Sequence, residues 1–555
     1  MILALLAAAA ALGMAAEAGP YDSELRPMID GYAADLAAIE RTYPFELSAT
    51  RHARLERLAA ERETELRKVE FAPLSPNGQI DYLLLRNALD RLRAQVQLER
   101  RRAVELEPLL PFASVILHLE EARRRMAPVN APAAAQQLAD LAKAVRAIAA
   151  ARPTAKPAVV NRAARQLKAL REALQAWHAF YDGYDPSFTW WMAEPFKQAS
   201  QALENYGKLL ESAPAALMGD PVGRESLLEY LSYNMIPYSP EELLALARKE
   251  LAWGEEQMRA AARELGFGED WRRALEAVKN KYVEPGQQPQ LVRRLAEEAI
   301  DFVTSRDLVT VPPLAREDWW EEMLSPERQL TSPFFLGGDL ILVAYPTSGM
   351  THEQKLMSLR GNNEHFARAV VFHELIPGHH LQGFMNERHR KYRQIFATPF
   401  WSEGNAFYWE MVLWDLGFPR GPEDRIGMLF WRMHRAARVL FSISFHLEQM
   451  TAEQCVEFLV ERVGHERANA EAEVRRSIDG SYEPIYQSAY LLGALQFYAL
   501  RRELVLTGRM SEREFHDAIL EQNSIPVELV RAALTGQPLT PDYRPSWRFY
   551  DLPAN

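Results

Sequence analysis

Along most of residues 20–330 apolar side chains recur every three or four positions among many Ala, Leu, Arg and Glu. That spacing places them on one face of an α-helix. It predicts helices over 33–70, 78–105, 134–151, 159–182, 240–265 and 287–305, with Pro153 and Pro157 separating two of them. The arginine runs at 100–102 and 123–125 have glutamates nearby and read as solvated helix faces. SFTWWMAEPF (187–196) carries adjacent tryptophans, for which a core or interhelix position is expected over a groove lining. At 331–349 the texture changes to TSPFFLGGDLILVAYPTSG. Gly337-Gly338 marks a turn, and DLILVAY, stopped by Pro346, is the best strand candidate. Helical periodicity resumes near 361 and runs to about 535. The expectation is a mainly α protein with one small sheet or edge strand ahead of the segment that carries the chemistry.

The chain has 555 residues, 48% hydrophobic and 25% charged, enough for a large core and more than one domain. Its net charge of −11 argues against nucleic acid or an anionic membrane as the main partner. The first residues, MILALLAAAAALGMAAEAGP, hold an apolar run that ends in small residues and reads as a signal peptide over 1–18, although no Lys or Arg precedes it. It is too short for an ordinary membrane span. The reading implies a periplasmic or secreted protein with no stable membrane anchor after signal removal. The single cysteine, Cys455, excludes an intrachain disulfide. A helical region at 19–330 covering a cleft and a metal-binding region at 331–555 complete the expected organisation.

The chemistry concentrates in HELIPGHHLQ, residues 373–382. Helical zinc hydrolases place two histidines four apart on one face, with a glutamate beside the first. Here Pro377 stands where the second histidine belongs, and His379 and His380 follow. On a straight helix His373 and His379 would be about 9 Å apart along the axis and out of phase. Two nitrogens on one zinc cannot be more than about 4 Å apart. A kink at Pro377-Gly378 resolves this, because proline ends the helix and glycine turns the backbone. His379 is therefore expected as second ligand, with His380 as the competitor. Glu403, in FWSEGNAFYWE (400–410), is the candidate third ligand, and Glu410 shares its helix face as a supporting partner. Two histidines and a carboxylate leave a position for a water on one zinc ion, and Glu374 would take its proton.

Two further segments carry candidates. In RAARVLFSISFH, Arg435, Arg438, Ser442 and His446 form a polar stripe on a mostly apolar helix. Such a stripe is costly unless something needs it. Either it lines a cleft, with an arginine holding a substrate carboxylate and His446 stabilising an oxyanion, or it is an internal ion-pair network, for example with Glu410. Tyr490, in YEPIYQSAYLLGALQFYALR (482–501), is a second oxyanion candidate.

These motifs resemble the bacterial domain-of-unknown-function family 885 (DUF 885). Its His-Glu-x-x-Pro-Gly-His-x-x-Gln signature is matched by His373, Glu374, Pro377, Gly378, His379 and Gln382. Its Glu-Gly-Trp-Ala-x-Tyr-x-Glu segment is matched at Glu403, Gly404, Ala406, Tyr408 and Glu410, with Asn405 in place of the tryptophan. Its Arg-x-x-Arg…Asp-x-x-x-His helix is matched at Arg435, Arg438 and His446, with Ser442 in place of the aspartate. The family is similar to the gluzincin metallopeptidases. The resemblance implies a large helical zincin-like fold with a deep cleft, and a zinc peptidase of carboxypeptidase or oligopeptidase type acting on a peptide or small amide. The DLILVAY strand would then pair with an extended substrate. A zinc amidase on a non-peptide amide and a helical binding protein with a structural metal are the alternatives. The base at Glu374 speaks against a purely structural metal.

Overall fold

The computed structural model describes residues 23–211, 219–329, 337–338 and 340–551. The signal-peptide reading at 1–18 and the TSPFFL stretch at 331–336 lie outside the described residues. The chain is mainly helical, as the periodicity predicts. Helices at Pro76–Leu106, Ala131–Ala151, Pro157–Tyr181, Pro240–Glu264 and Gln288–Ser305 fall close to their predicted bounds. The helix expected over 33–70 is instead two, Arg26–Thr42 and Ala49–Leu66. Pro44 lies between them, and the Ser48 hydroxyl accepts from the Arg51 N–H to open the second.

Buried apolar side chains form two cores. The smaller draws on residues 106–210, with Trp177 packed edge-on against Phe188. The larger joins residues 25–92 to 227–549, so it runs on across residue 330. The tryptophans of SFTWWMAEPF do not enter the smaller core. Phe188 and Met192 are buried, whereas Trp190 and Trp191 are 73% and 41% exposed. Helical phase explains this, since 188 and 192 share a face that 190 and 191 do not.

Among the described residues the sheet has two strands, Trp320–Met323 and Leu340–Val343, paired in parallel with Trp320 opposite Leu340. The second is the central part of DLILVAY. The first lies in a stretch expected to be helical.

Four helices of the larger core frame the candidate site: Glu364–Glu374, Pro399–Asp415, Pro422–His446 and Tyr486–Leu504. Pro399–Asp415 is buried almost all round, which fits its apolar sequence. It crosses Tyr486–Leu504 where two glycines meet. A Cβ on Gly493 would lie 1.9 Å from the Phe400 carbonyl oxygen, and one on Gly404 would lie 2.5 Å from the Gly493 Cα. Only two glycines permit that approach. The crossing sets the residues next to Gly404 against the first turns of Tyr486–Leu504.

Candidate metal centre

The helix carrying His373 opens at Asn363, whose side chain accepts from the His365 and Phe366 N–H groups, and ends at Glu374. Ile376–Pro377 follows with a cis peptide bond, and a second helix, His379–Asn386, starts one residue after Pro377-Gly378. The two helical pieces are stitched together by backbone bonds. The Gly378 N–H donates to the Phe372 carbonyl at 3.0 Å and the His380 N–H to the Leu375 carbonyl at 3.1 Å. Gly378 passes so close to the preceding helix end that a Cβ there would sit 1.9 Å from the His373 carbonyl oxygen. The kink predicted from Pro377-Gly378 is thus present, and it depends on a missing side chain.

The kink brings His373 and His379 together, and Glu403 meets both. One ligand atom from each of the three residues lies within 4.8 Å of the other two. Glu403 Oε2 is 3.1 Å from His379 Nε2 and 3.6 Å from His373 Nε2. Its other oxygen accepts from the Tyr486 hydroxyl at 2.6 Å. One oxygen is therefore occupied and the other faces the imidazoles.

Each histidine is held by its second nitrogen. His373 Nδ1 is 2.8 Å from Glu410 Oε1, and His379 Nδ1 is 3.2 Å from Gln382 Oε1. Each acceptor favours a proton on Nδ1 and leaves Nε2 as the nitrogen directed at the centre. Gln382 is oriented in turn: its amide donates to the Ser402 carbonyl and to Asn405 Oδ1, both at 3.1 Å. Asn405, where the resembled pattern has tryptophan, therefore has a supporting part in this chain.

Charge follows the same geometry. Burial disfavours an imidazolium at His379, but the Glu403 carboxylate, aided by Glu374, overrides it and raises His379 to about 9. Burial would likewise raise Glu403, yet His379 and His373 hold it well below the usual carboxylate range. Burial first, then the charge of Glu403, raises the Tyr490 hydroxyl. Glu374 is half-buried beside Gly337, where a Cβ would come within 2.3 Å of Glu374 Oε2. The segment leading into the second strand thus lies against the candidate base.

The other sequence candidates divide. Tyr490 joins the centre, its ring nearly parallel to that of His373 with centroids 6.2 Å apart. His380 does not: Nε2 is 2.9 Å from the Ala315 carbonyl oxygen, in a buried position. Arg435 and Arg438 flank the Tyr490 ring, their guanidinium carbons 4.6 and 4.4 Å from its centroid. Each makes an ion pair, while Arg435 Nε and Arg438 Nη1 have no hydrogen-bond partner among the described residues. Arg435 donates to Glu410 at 3.4 Å, and Arg438 Nε to Glu473 at 2.6 Å. These are ion pairs of the kind the internal-network alternative expects. Ser442 turns back onto the Arg438 carbonyl at 2.6 Å.

His446 is eight residues beyond Arg438, about 12 Å along the helix. It lines a different cavity, with Ser477, Tyr482 and residues of Pro157–Tyr181. The stripe is correct as an angle, but it ignores axial distance. Burial lowers the His446 imidazole to about 4.

Sequence reasoning assigned no part to Tyr486, Gln382 or Glu473. Tyr486 sits one helical turn before Tyr490 and Gln382 three residues after His379, so helical spacing held a signal for both. Glu473 comes from Arg467–Ile478 and gave none.

The sequence pattern of the family described as "Bacterial protein of unknown function (DUF885)" matches residues 40–534. No curated protein matches the chain. Two solved structures, each described as a "putative lipoprotein", share its fold. That from Shewanella oneidensis, further described as of unknown function, is 18% identical with a TM-score of 0.71, covering 92% of this chain and 99% of its own. That from Colwellia psychrerythraea is 16% identical with a TM-score of 0.59, covering 92% and 98%.

Proposed function

The chain belongs to the bacterial family of unknown function DUF885, and from that premise and the geometry of its centre we propose that it is a zinc-dependent hydrolase acting on peptides. The observation that carries the reading is the convergence of His373, His379 and Glu403 within 4.8 Å, each histidine anchored through its other nitrogen, with Glu374 adjoining the first.

The donor set fits the metal. Two imidazole nitrogens and one carboxylate oxygen are the donors of catalytic zinc sites that keep a position open. The raised basicity of His379 says the same electrostatically: the carboxylates around it favour a positive charge at the centre. When bound, the ion would supply an acidified water and polarise the carbonyl under attack. The protein supplies the rest. Glu410 and Gln382 fix the imidazoles, and the Tyr486 hydroxyl fixes the free rotation of Glu403. Glu374 is the general base and later returns the proton to the leaving amine. Tyr490, beside His373, is the candidate donor to the developing oxyanion. Arg435 and Arg438, through their ion pairs, position the Tyr490 ring and Glu410.

In this reading the fold is zincin-like with a deep cleft, and the strand Leu340–Val343 receives an extended substrate. Extracytoplasmic action accords with the apolar run at 2–16 and with the lipoprotein description of the two structural relatives. Among the described residues no helix is long and apolar enough to cross a membrane.

The test is Glu374→Gln against the parent on a peptide library, with and without chelator. The variant should keep its zinc and lose at least about 100-fold in hydrolysis, since proton transfer alone is worth about 10²–10⁴. Hydrolysis that survives in the variant, or no cleavage by the zinc-loaded parent, would refute the proposal.

A further inference from the structure

The cavity that holds His446 is unused by the chemistry above. It has a volume of about 240 Å³ and is walled by Pro157–Tyr181 on one side and the 477–484 segment on the other. It therefore lies where the smaller core meets the larger, a favoured place for ligand sites. At about 30 Å³ per water the space is that of about eight waters, which suits the last few small residues of a peptide.

His446 is 3% exposed, and neither ring nitrogen has a hydrogen-bond partner among the described residues. A buried imidazole without partners is costly, so something entering the cavity should satisfy it. A neutral imidazole offers one donor and one acceptor, which an amide group matches on both counts. The Asn161 side chain, also on the wall, makes no hydrogen bond with the described residues and offers the same pair. Charge narrows the ligand further. Asp220 is paired with Arg162, and Glu483 with Arg91. Glu46 accepts from Gln166 at 3.0 Å and Asp479 from the Ser481 N–H at 2.8 Å. Arg102 alone among the lining cations makes no hydrogen bond or ion pair with the described residues, so its guanidinium is free for an anion.

Two tyrosines link the cavity wall to the metal centre. The Tyr482 ring on its wall is 4.4 Å from that of Tyr486, whose hydroxyl reaches Glu403. His446 lies about 12 Å along its helix from Arg438, which flanks Tyr490, a distance that about four extended residues at about 3.3 Å each would cover.

We propose that this cavity is a subsite for the carboxylate end of a peptide, with His446 and Asn161 meeting its last amide groups and Arg102 its terminal carboxylate. The assignment rests on the zinc-peptidase reading for its purpose, and it deepens that reading: the substrates are short peptides cut a few residues before a free C-terminus.

Binding is tested without hydrolysis, on zinc-free full-length protein with ¹⁵N-labelled histidine. Triglycine, N-acetyl-triglycine and triglycine amide are titrated while the ring nitrogens of His446 are followed by NMR. Both free acids should shift the His446 signals saturably, and the amide should bind at least about tenfold more weakly. Arg102→Gln, at a half-exposed position, should remove that preference and leave amide binding as it was. A His446 signal indifferent to all three peptides, equal binding of acid and amide, or an unchanged preference in Arg102→Gln would overturn the assignment. Triglycine binding in a protein that never cleaves peptides would leave the subsite standing and sink the hydrolase reading; cleavage without triglycine binding would do the reverse.

Discussion

Gly378→Ala perturbs the centre through one methyl group. The new Cβ would stand 1.9 Å from the His373 carbonyl oxygen, 2.5 Å from its carbon and 2.6 Å from the Phe372 carbonyl oxygen. All three are backbone atoms, so no side chain can swing aside. Real Cβ contacts essentially never fall below 3.0 Å, so the two segments must part by about 1 Å. The segments are the ones that carry His373 and His379, and metal–ligand distances tolerate only about 0.2 Å. A displacement of about 1 Å at a reacting centre costs about 100-fold, which at about 1.4 kcal/mol per tenfold is close to 3 kcal/mol. Overpacking should also lower the stability of the metal-free protein by about 1–3 kcal/mol. Zinc affinity is measured by competition with a chromophoric chelator and stability by thermal unfolding without metal. Gly349→Ala serves as the control, since its Cβ meets nothing within 4 Å. The variant should remain folded at room temperature and bind zinc at least about 100-fold more weakly, and the control should match the parent. A folded Gly378→Ala protein with parental zinc affinity would refute the claim that the kink sets the ligand geometry.

Other outcomes follow from the supporting network. Arg438→Met removes one of the two arginines paired with buried Glu473 and leaves Arg476, so it should cost less than the about 3–5 kcal/mol of a wholly unpaired buried charge; residual activity on free-acid and C-terminally amidated peptides should fall alike, and a loss confined to the free acids would restore the arginine as a substrate clamp. Burial would raise Glu473, but Arg438 and Arg476 hold it down to about 2. Its folded value is depressed, so its contribution is fully present above about pH 4.5 and is lost as the pH falls toward 2. The melting-temperature gap between the parent and Glu473→Gln should therefore narrow on acidification from pH 5 to 3; a constant gap would show that the pair carries no such linkage.

The parts of the site legible in sequence were those fixed by local geometry. Pro377-Gly378 announced the kink because a straight helix could not serve His373 and His379 together, and Glu410 followed from Glu403 by two helical turns. Residues whose meaning depends on distant partners were harder. Arg438 finds Glu473 on a helix 35 residues away, and nothing in RAARVLFSISFH distinguishes that pairing from a substrate contact. His446 shared the angular stripe of Arg435 but lay too far along the axis. The strand Trp320–Met323 exists through parallel pairing with Leu340–Val343, a contact its own WEEM sequence does not encode. The break at Pro44 was readable from proline itself, yet helical periodicity on both sides masked it.

The central claim is that HELIPGHHLQ closes around a metal with His379, and not His380, as its second ligand. Zinc content per chain, measured on the parent, His379→Ala and His380→Ala after dialysis against trace zinc, tests it most directly. The structure of the centre predicts one zinc in the parent, little in His379→Ala, and close to one in His380→Ala, whose imidazole is engaged with the Ala315 carbonyl. A parent that takes up no zinc, or zinc kept by His379→Ala and lost by His380→Ala, would contradict it.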